Sequence, residues 1–291
     1  MPILTSSRSA FPIKLLFLGD SGTGKTGALA SLAEAGYNLR VLDFDNGLDI
    51  LASILRDKPE ALSRVVYETC TDRLKTVGGK TIVDGIPSAW TKAMNLLDRW
   101  KILDKKSGEV GYDLGLLSSW GLRDILVIDS LTFMSDAAMR MILALNNRGT
   151  QRPWQSDWNE AQNLVEGALA LLYADHVRCN VIVNAHVNYM DIMIDTGQKD
   201  SQGNPIKQVI DSKGLPQAVG QKLSLKIPRY FNTSLIATRE GSGMGEKRWI
   251  STKSVGIVEA KTSIIQVPSR LPLATGLADY FKLLHGEVAK L

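Results

Sequence analysis

The run Ile13-Lys14-Leu15-Leu16-Phe17-Leu18, ending on Gly19 and followed by Asp20-Ser21-Gly22-Thr23-Gly24-Lys25-Thr26-Gly27, restricts this chain more than any other stretch. A short, nearly continuous apolar run predicts a strand buried on both faces, as in the middle of a parallel sheet. From Lys25 to Ala35 the residues are good helix formers, and Gly36 supplies a stop. Leu39 to Phe44 reads as the next strand. Strand, glycine-rich loop, helix and strand in this order make a βαβ unit with a right-handed crossover. In that setting Gly19-x4-Gly24-Lys25-Thr26 matches the Walker A pattern. Glycines let the backbone wrap phosphates with its N–H groups turned inward, and the helix start adds positive potential. Lys25 is expected to reach the β and γ phosphates of ATP, and the Thr26 hydroxyl to ligate Mg²⁺.

Ile125 to Ile128 and Val181 to Val183 are further buried strands, with helices around Met134–Leu145 and Asp157–Tyr173, so the core alternates α and β. With 44% apolar and 22% charged residues the chain can bury a sizeable core. Residues 1–291 are read as one domain, with a flexible N-terminus over 1–10, an insertion over 64–122, a long loop over 188–222, and C-terminal strands and a helix over 223–291. Within it, Leu48 to Leu55 looks helical, and Tyr67 to Pro87, with Gly78-Gly79, predicts a loop or hairpin. Ser88 is expected to cap a helix running to Leu103, and Lys105 to Gly111 to form a polar turn. Asp195 to Gly220 shows neither helical nor strand period. Leu235–Thr238, Arg248–Thr252 and Ile257–Ala260 alternate like short strands, and Leu277 to Leu284 closes the chain as an amphipathic helix.

A net charge of +4 permits an anionic partner without demanding one. Cys70 and Cys179 lack metal spacing and read as reduced thiols, and no stretch approaches the length of a spanning helix, so a cytoplasmic location is expected. Asp129, at the end of the Ile125–Ile128 strand, is the candidate Walker B carboxylate; a strand-end cap is its structural alternative. Asp43 and Asp45 share a face after the second strand, and one of them is a candidate general base, against a solvated turn. Asn184-Ala185-His186 ends the fourth strand, where His186 is a candidate to hydrogen-bond a γ-phosphate, against a satisfied core histidine.

Together these motifs resemble the RecA-like ATPases, and most closely the phage ATP-binding proteins of the Sak type linked to single-strand annealing and recombination. The resemblance runs from Ile13 to about Ser263. It implies a mainly parallel sheet flanked by helices with C-terminal antiparallel strands, and ATP hydrolysis with Mg²⁺. Asp43-Phe44-Asp45 looks like the family's Asp-x-Glu, which points to Asp45 as the base, although aspartate is shorter than the usual glutamate. Val127-Ile128-Asp129-Ser130 is similar to its Walker B, and His186 falls at its γ-phosphate sensor. Relatives form rings or filaments, so a homo-oligomer is implied, with Arg248, Lys253 or Lys261 acting on a neighbour's nucleotide. The region after Asn188 corresponds to a DNA-contacting segment. There Lys207, Lys213, Lys222, Lys226 and Arg229 are candidates to track the phosphates of single-stranded DNA, and Tyr189, Tyr230 or Phe231 to stack on its bases. A single-strand-binding protein is a further implied partner, and a bacterial host cytoplasm the implied location if the chain is phage-encoded. Three other functions compete: an ATP-switched assembly module with little turnover, a DnaB-like motor, and, last, a small-molecule kinase, for which an arginine-rich lid is missing.

Overall fold

The apolar run that opens the sequence becomes β1 (Lys14–Leu18), buried at every residue. Its alternate side chains feed two cores: Leu15 and Phe17 point to one face of the sheet, Leu16 and Leu18 to the other. The computed structural model describes residues 11–103, 109–264 and 266–285; the expected flexible segment 1–10 and much of the expected turn at Lys105–Gly111 lie outside them. After the glycine-rich loop the predicted helix is split at Leu29 into α1 (Lys25–Ala28) and α2 (Ala30–Glu34), and Gly36, at φ +88°, turns the chain into β2 (Asn38–Asp43). Then come α3 (Asp49–Leu55), α4 (Pro59–Leu62) and β3 (Val65–Thr69).

The segment 64–122 holds two small hairpins. In the first, β4 (Leu74–Val77) and β5 (Lys80–Val83) turn at Gly78-Gly79, as the sequence predicts. The helix after Ser88 starts where expected, with Ser88 at the N-cap position though without a side-chain cap bond, and ends early: α5 covers Ala89–Asp98. Its start is held by Asp72, whose Oδ1 accepts the N–H groups of Ser88 and Ala89 at 2.8 and 2.9 Å. Its end comes early because Arg99 turns extended into β6 (Arg99–Leu103), paired with β7 (Val110–Leu116). Trp100, on that strand, is fully buried with its ring 5.8 Å from that of Trp120.

Next follow β8 (Asp124–Asp129), α6 (Leu131–Leu145), α7 (Gln155–Tyr173) and β9 (Asn180–Ala185). The region read as a long loop over 188–222 is instead an antiparallel ribbon, β10 (Val187–Lys199) with β11 (Pro205–Pro216), followed by α8 (Gln221–Lys226). Beyond its root both faces of the ribbon are exposed, so neither face selects an apolar alternation. The chain ends with β12 (Thr233–Glu240), β13 (Lys247–Ser251), β14 (Arg270–Pro272) and α9 (Gly276–His285). Ile257–Ala260, expected as a strand, forms only single bridges, because Val258 plugs against the bare backbone of Gly214 at the ribbon root.

The main sheet runs β14-β13-β12-β1-β9-β8-β2-β3. Every pair from β12 to β3 is parallel, and β13 and β14 add antiparallel strands at one edge, the architecture expected of a RecA-like P-loop core. Helices α1 to α4 and α9 cover the Leu15 face, and α5 to α8 the Leu16 face.

Candidate functional site

Parallel strands put all their carboxyl ends on one edge of the sheet, where ligands of such folds bind. The strand register places Asp43, Asp129 and Asn184 side by side at the ends of β2, β8 and β9. The glycine-rich loop leaves β1 next to them. Gly22 and Gly24 adopt φ of +77° and +93°, which only glycine takes without strain.

Lys25 folds back over the loop, where its Nζ donates to the carbonyls of Gly19 at 2.8 Å and Asp20 at 3.0 Å. Burial lowers its pKa, and the carboxylates of Asp129, Asp20 and Asp45 oppose that shift. Thr26 Oγ1 donates to Asp129 Oδ2 at 2.7 Å, joining the loop to the neighbouring strand. Asp129 is 1% exposed. Burial raises its pKa against the Thr26 hydroxyl, the Asn184 amide and the Lys25 charge. Asn184 is fully buried beside it, with no hydrogen bond of normal geometry among the described residues.

Asp45 lies beyond β2 with one carboxylate oxygen, Oδ1, buried and without a partner among the described residues. Its pKa is pushed up to about 7, first by burial and then by the charges of Asp129 and Asp43. Asp43 is also raised by burial, while the Gly47 N–H donates to its Oδ1 at 3.3 Å. His186 follows β9; its pKa is lowered by burial and by Lys25, and its ring stands edge-on to Phe133 at 6.1 Å.

These residues fit a nucleoside triphosphate with Mg²⁺. The hydroxyl and carboxylate of Thr26 and Asp129 are already together, the loop is shaped by positive-φ glycines, and an acceptor on Asp45 lacks a donor. Bound there, Mg²⁺ would neutralise phosphate charge. Lys25 would bind the phosphates, Asp45 would hold and take the proton of an attacking water, and His186 would orient a terminal phosphate oxygen.

The raised pKa of Asp45 carries a stability consequence. Between the ordinary carboxylate pKa near 4 and about 7 the folded chain binds more protons than the unfolded one, so this group makes stability fall as pH rises through that window. Asp45→Asn is therefore expected to raise the melting temperature at pH 8 and to change it little at pH 4. An equal shift at both values would remove Asp45 as its cause.

Other predicted residues are dispersed. Arg248 lies beside Gly24 of its own chain with its Nε on Glu246 Oε1 at 2.7 Å. Lys253 is exposed after β13, and Lys261 donates to the Phe231 carbonyl at 3.0 Å. Lys207 and Lys213 sit on the ribbon and Lys222 is exposed on α8. Lys226 and Arg229 both pair with Glu166 of α7, and Tyr230 bonds the same carboxylate. Phe231 is buried and has no face to offer a base, a correction that follows from its place in the core. Tyr189 is exposed, and its hydroxyl meets both carboxylate oxygens of Asp20 at 3.3 Å. Sequence reasoning overlooked Asn184 as a neighbour of Asp129, and Arg239 as a neighbour of the loop. Each is a polar residue at the end of an apolar strand, the signal that does find Asp129.

The strand leading to His186 stands between the P-loop strand and the one carrying Asp129, while Asp45 follows the next strand over. That order is the one expected of a RecA-like P-loop fold. A family model described as an AAA domain (AAA_24) matches residues 12–263, and the chain belongs to that family. A comparison with curated proteins returns no match. Similar solved structures include a KaiC-like protein from Pyrococcus horikoshii OT3, 9% identical with a TM-score of 0.41, covering 91% of this chain and 92% of that one. An ATPase of the type III secretion system of pathogenic bacteria is 13% identical with a TM-score of 0.41, over 78% of this chain and 52% of that one. The flagellar accessory protein FlaH from Methanocaldococcus jannaschii is 8% identical with a TM-score of 0.38, over 89% and 84%. Among the described residues no helix is long and apolar enough to cross a membrane.

Proposed function

We propose that this chain hydrolyses ATP with Mg²⁺ and couples the reaction to the β10–β11 ribbon, acting on single-stranded DNA in recombination or annealing of the phage Sak type. The observation that carries the catalytic part is the Thr26–Asp129 hydrogen bond with Asp45 nearby at a pKa of about 7, poised to accept a proton at neutral pH. The coupling part rests on chain connectivity: only His186 separates β9 from the ribbon, and Tyr189 at the ribbon root touches Asp20 of the P-loop. Lys207, Lys213 and Lys222 and the exposed ring of Tyr189 support the DNA reading. Assembly as a homo-oligomer, and a single-strand-binding protein as companion, belong to the same reading.

One observation favours the second reading, an ATP-switched assembly module. Asp191, Asp195, Asp200 and Asp211 outnumber Lys199, Lys207 and Lys213 on the ribbon, while Met193, Ile194, Val209 and Ile210 are exposed. A surface without net positive charge gains little from counterion release and suits a protein partner better. ATP turnover measured with single-stranded DNA, duplex DNA and neither separates the two. Stimulation by single strands, lost when Asp195–Gly214 is replaced by a short turn that leaves nucleotide binding intact, is the expected result. An unchanged rate with DNA would discard the DNA reading and leave the switch.

A further inference from the structure

Two arginines meet across β12 and β13: Arg239 and Arg248 are direct register partners in the antiparallel pair. Like charges placed opposite each other across strands are destabilising. Carboxylates only partly relieve this pair. Glu246 takes the Nε of Arg248, leaving its Nη groups, and Glu240 pairs with Arg270, so Arg239 has no carboxylate partner among the described residues. Both guanidinium groups lie against the glycine-rich loop of the same chain. A methyl group built on Gly24 would stand 3.3 Å from Arg248 Nη1, and one on Gly22 would stand 4.0 Å from Arg239 Nη1. Arg239 also opens onto a cleft of about 480 Å³ that includes Gly19, Asp20 and Thr23.

We infer that Arg239 and Arg248 form a cis clamp, contacting the polyphosphate of the nucleotide held by their own P-loop rather than reaching a neighbouring subunit. The inference rests on the P-loop reading of the preceding subsection. A polyphosphate is the ligand that relieves the pair: its oxygens accept from the free N–H groups of both side chains and neutralise two opposed charges together. Such contacts grow with the number of phosphates, so the clamp favours the triphosphate over the diphosphate.

The test uses the full chain and titration with fluorescent ATP and ADP analogues. The parent chain should bind ATP and the Lys25→Ala variant should not; failure here defeats the P-loop reading itself. Given that binding, Arg239→Ala/Arg248→Ala should weaken ATP by about tenfold or more and ADP by less, because charge-assisted contacts are lost. Arg239→Lys/Arg248→Lys should recover part of the loss. Unchanged ATP affinity overturns the clamp. A second set, Arg239→Gln/Arg248→Gln, keeps the side-chain stems and replaces the alanine pair if thermal melting shows that pair unfolded. Cis and trans action are separated by mixing Lys25→Ala chains with the double arginine variant. The cis clamp requires that turnover of the mixture equal the sum of its parts. Restored turnover would overturn it, since the arginines of one chain would then be serving the P-loop of another.

Discussion

Lys25→Ala is expected to lower ATP affinity by about a hundredfold or more, the largest effect of any single substitution on binding. The lysine is buried, and its ammonium is already held inside the loop by the Gly19 and Asp20 carbonyls, so little ordering is left for phosphate binding to impose. A charge in a partly desolvated loop acts more strongly on phosphate oxygens than one in water. Losing one or two charge-assisted hydrogen bonds of roughly 1.5–3 kcal/mol each gives a change of that size. The alanine also strands the two loop carbonyls, so calorimetric binding should be read beside a melting curve. ATP affinity retained within threefold in a folded variant would remove the phosphate role from Gly19–Thr26.

Asp45→Asn is expected to reduce turnover by about two to three orders of magnitude, the range of a lost general base, with ATP affinity nearly unchanged. Asparagine keeps the size of the side chain and loses its basicity, so the variant isolates proton transfer from packing. Wild-type kcat/KM should rise with pH through about 7 and level off above, because the base works only when deprotonated and its pKa is held up by burial and by Asp129 and Asp43. The rising limb should vanish in the variant. A variant that turns over at more than a tenth of the wild-type rate, or keeps the limb, would reassign the base, and Asp43, buried and raised in pKa beside it, would be the next residue to replace.

The βαβ unit and the buried strands β8 and β9 were legible because a strand covered on both faces must be apolar throughout, and the polar residue that ends the run is placed at the sheet edge. Asp129 and His186 could be found this way without knowledge of any contact. Where burial does not impose a pattern the sequence is silent. The ribbon has two solvated faces, so Asp195–Gly214 carries no period although the strands are paired along most of its length. The β6–β7 hairpin misleads for a different reason. Trp90, Met94, Leu97 and Trp100 keep helical spacing, but Trp100 is buried from an extended strand, so tertiary packing overrides the local signal. Arg248 was legible as a candidate cation, but its place beside Gly24 of its own chain was not. Its position depends on the register between β12 and β13, which pairs it with Arg239.

One leg of the ribbon leaves the sheet through His186, and the other returns at Gln217, whose N–H donates to the His186 carbonyl at 2.8 Å, so both legs are tied at one point. At about 3.3 Å per residue, the 13 residues of β10 span about 40 Å. Length alone makes such a rod an amplifier: a tilt of about 5° at its root would carry the far end through about 3–4 Å, roughly the spacing of one residue along a strand. The Tyr189–Asp20 contact lies near that root, on the same arm as the tip, so a small shift of the glycine-rich loop passed on through it would be enlarged at the far end.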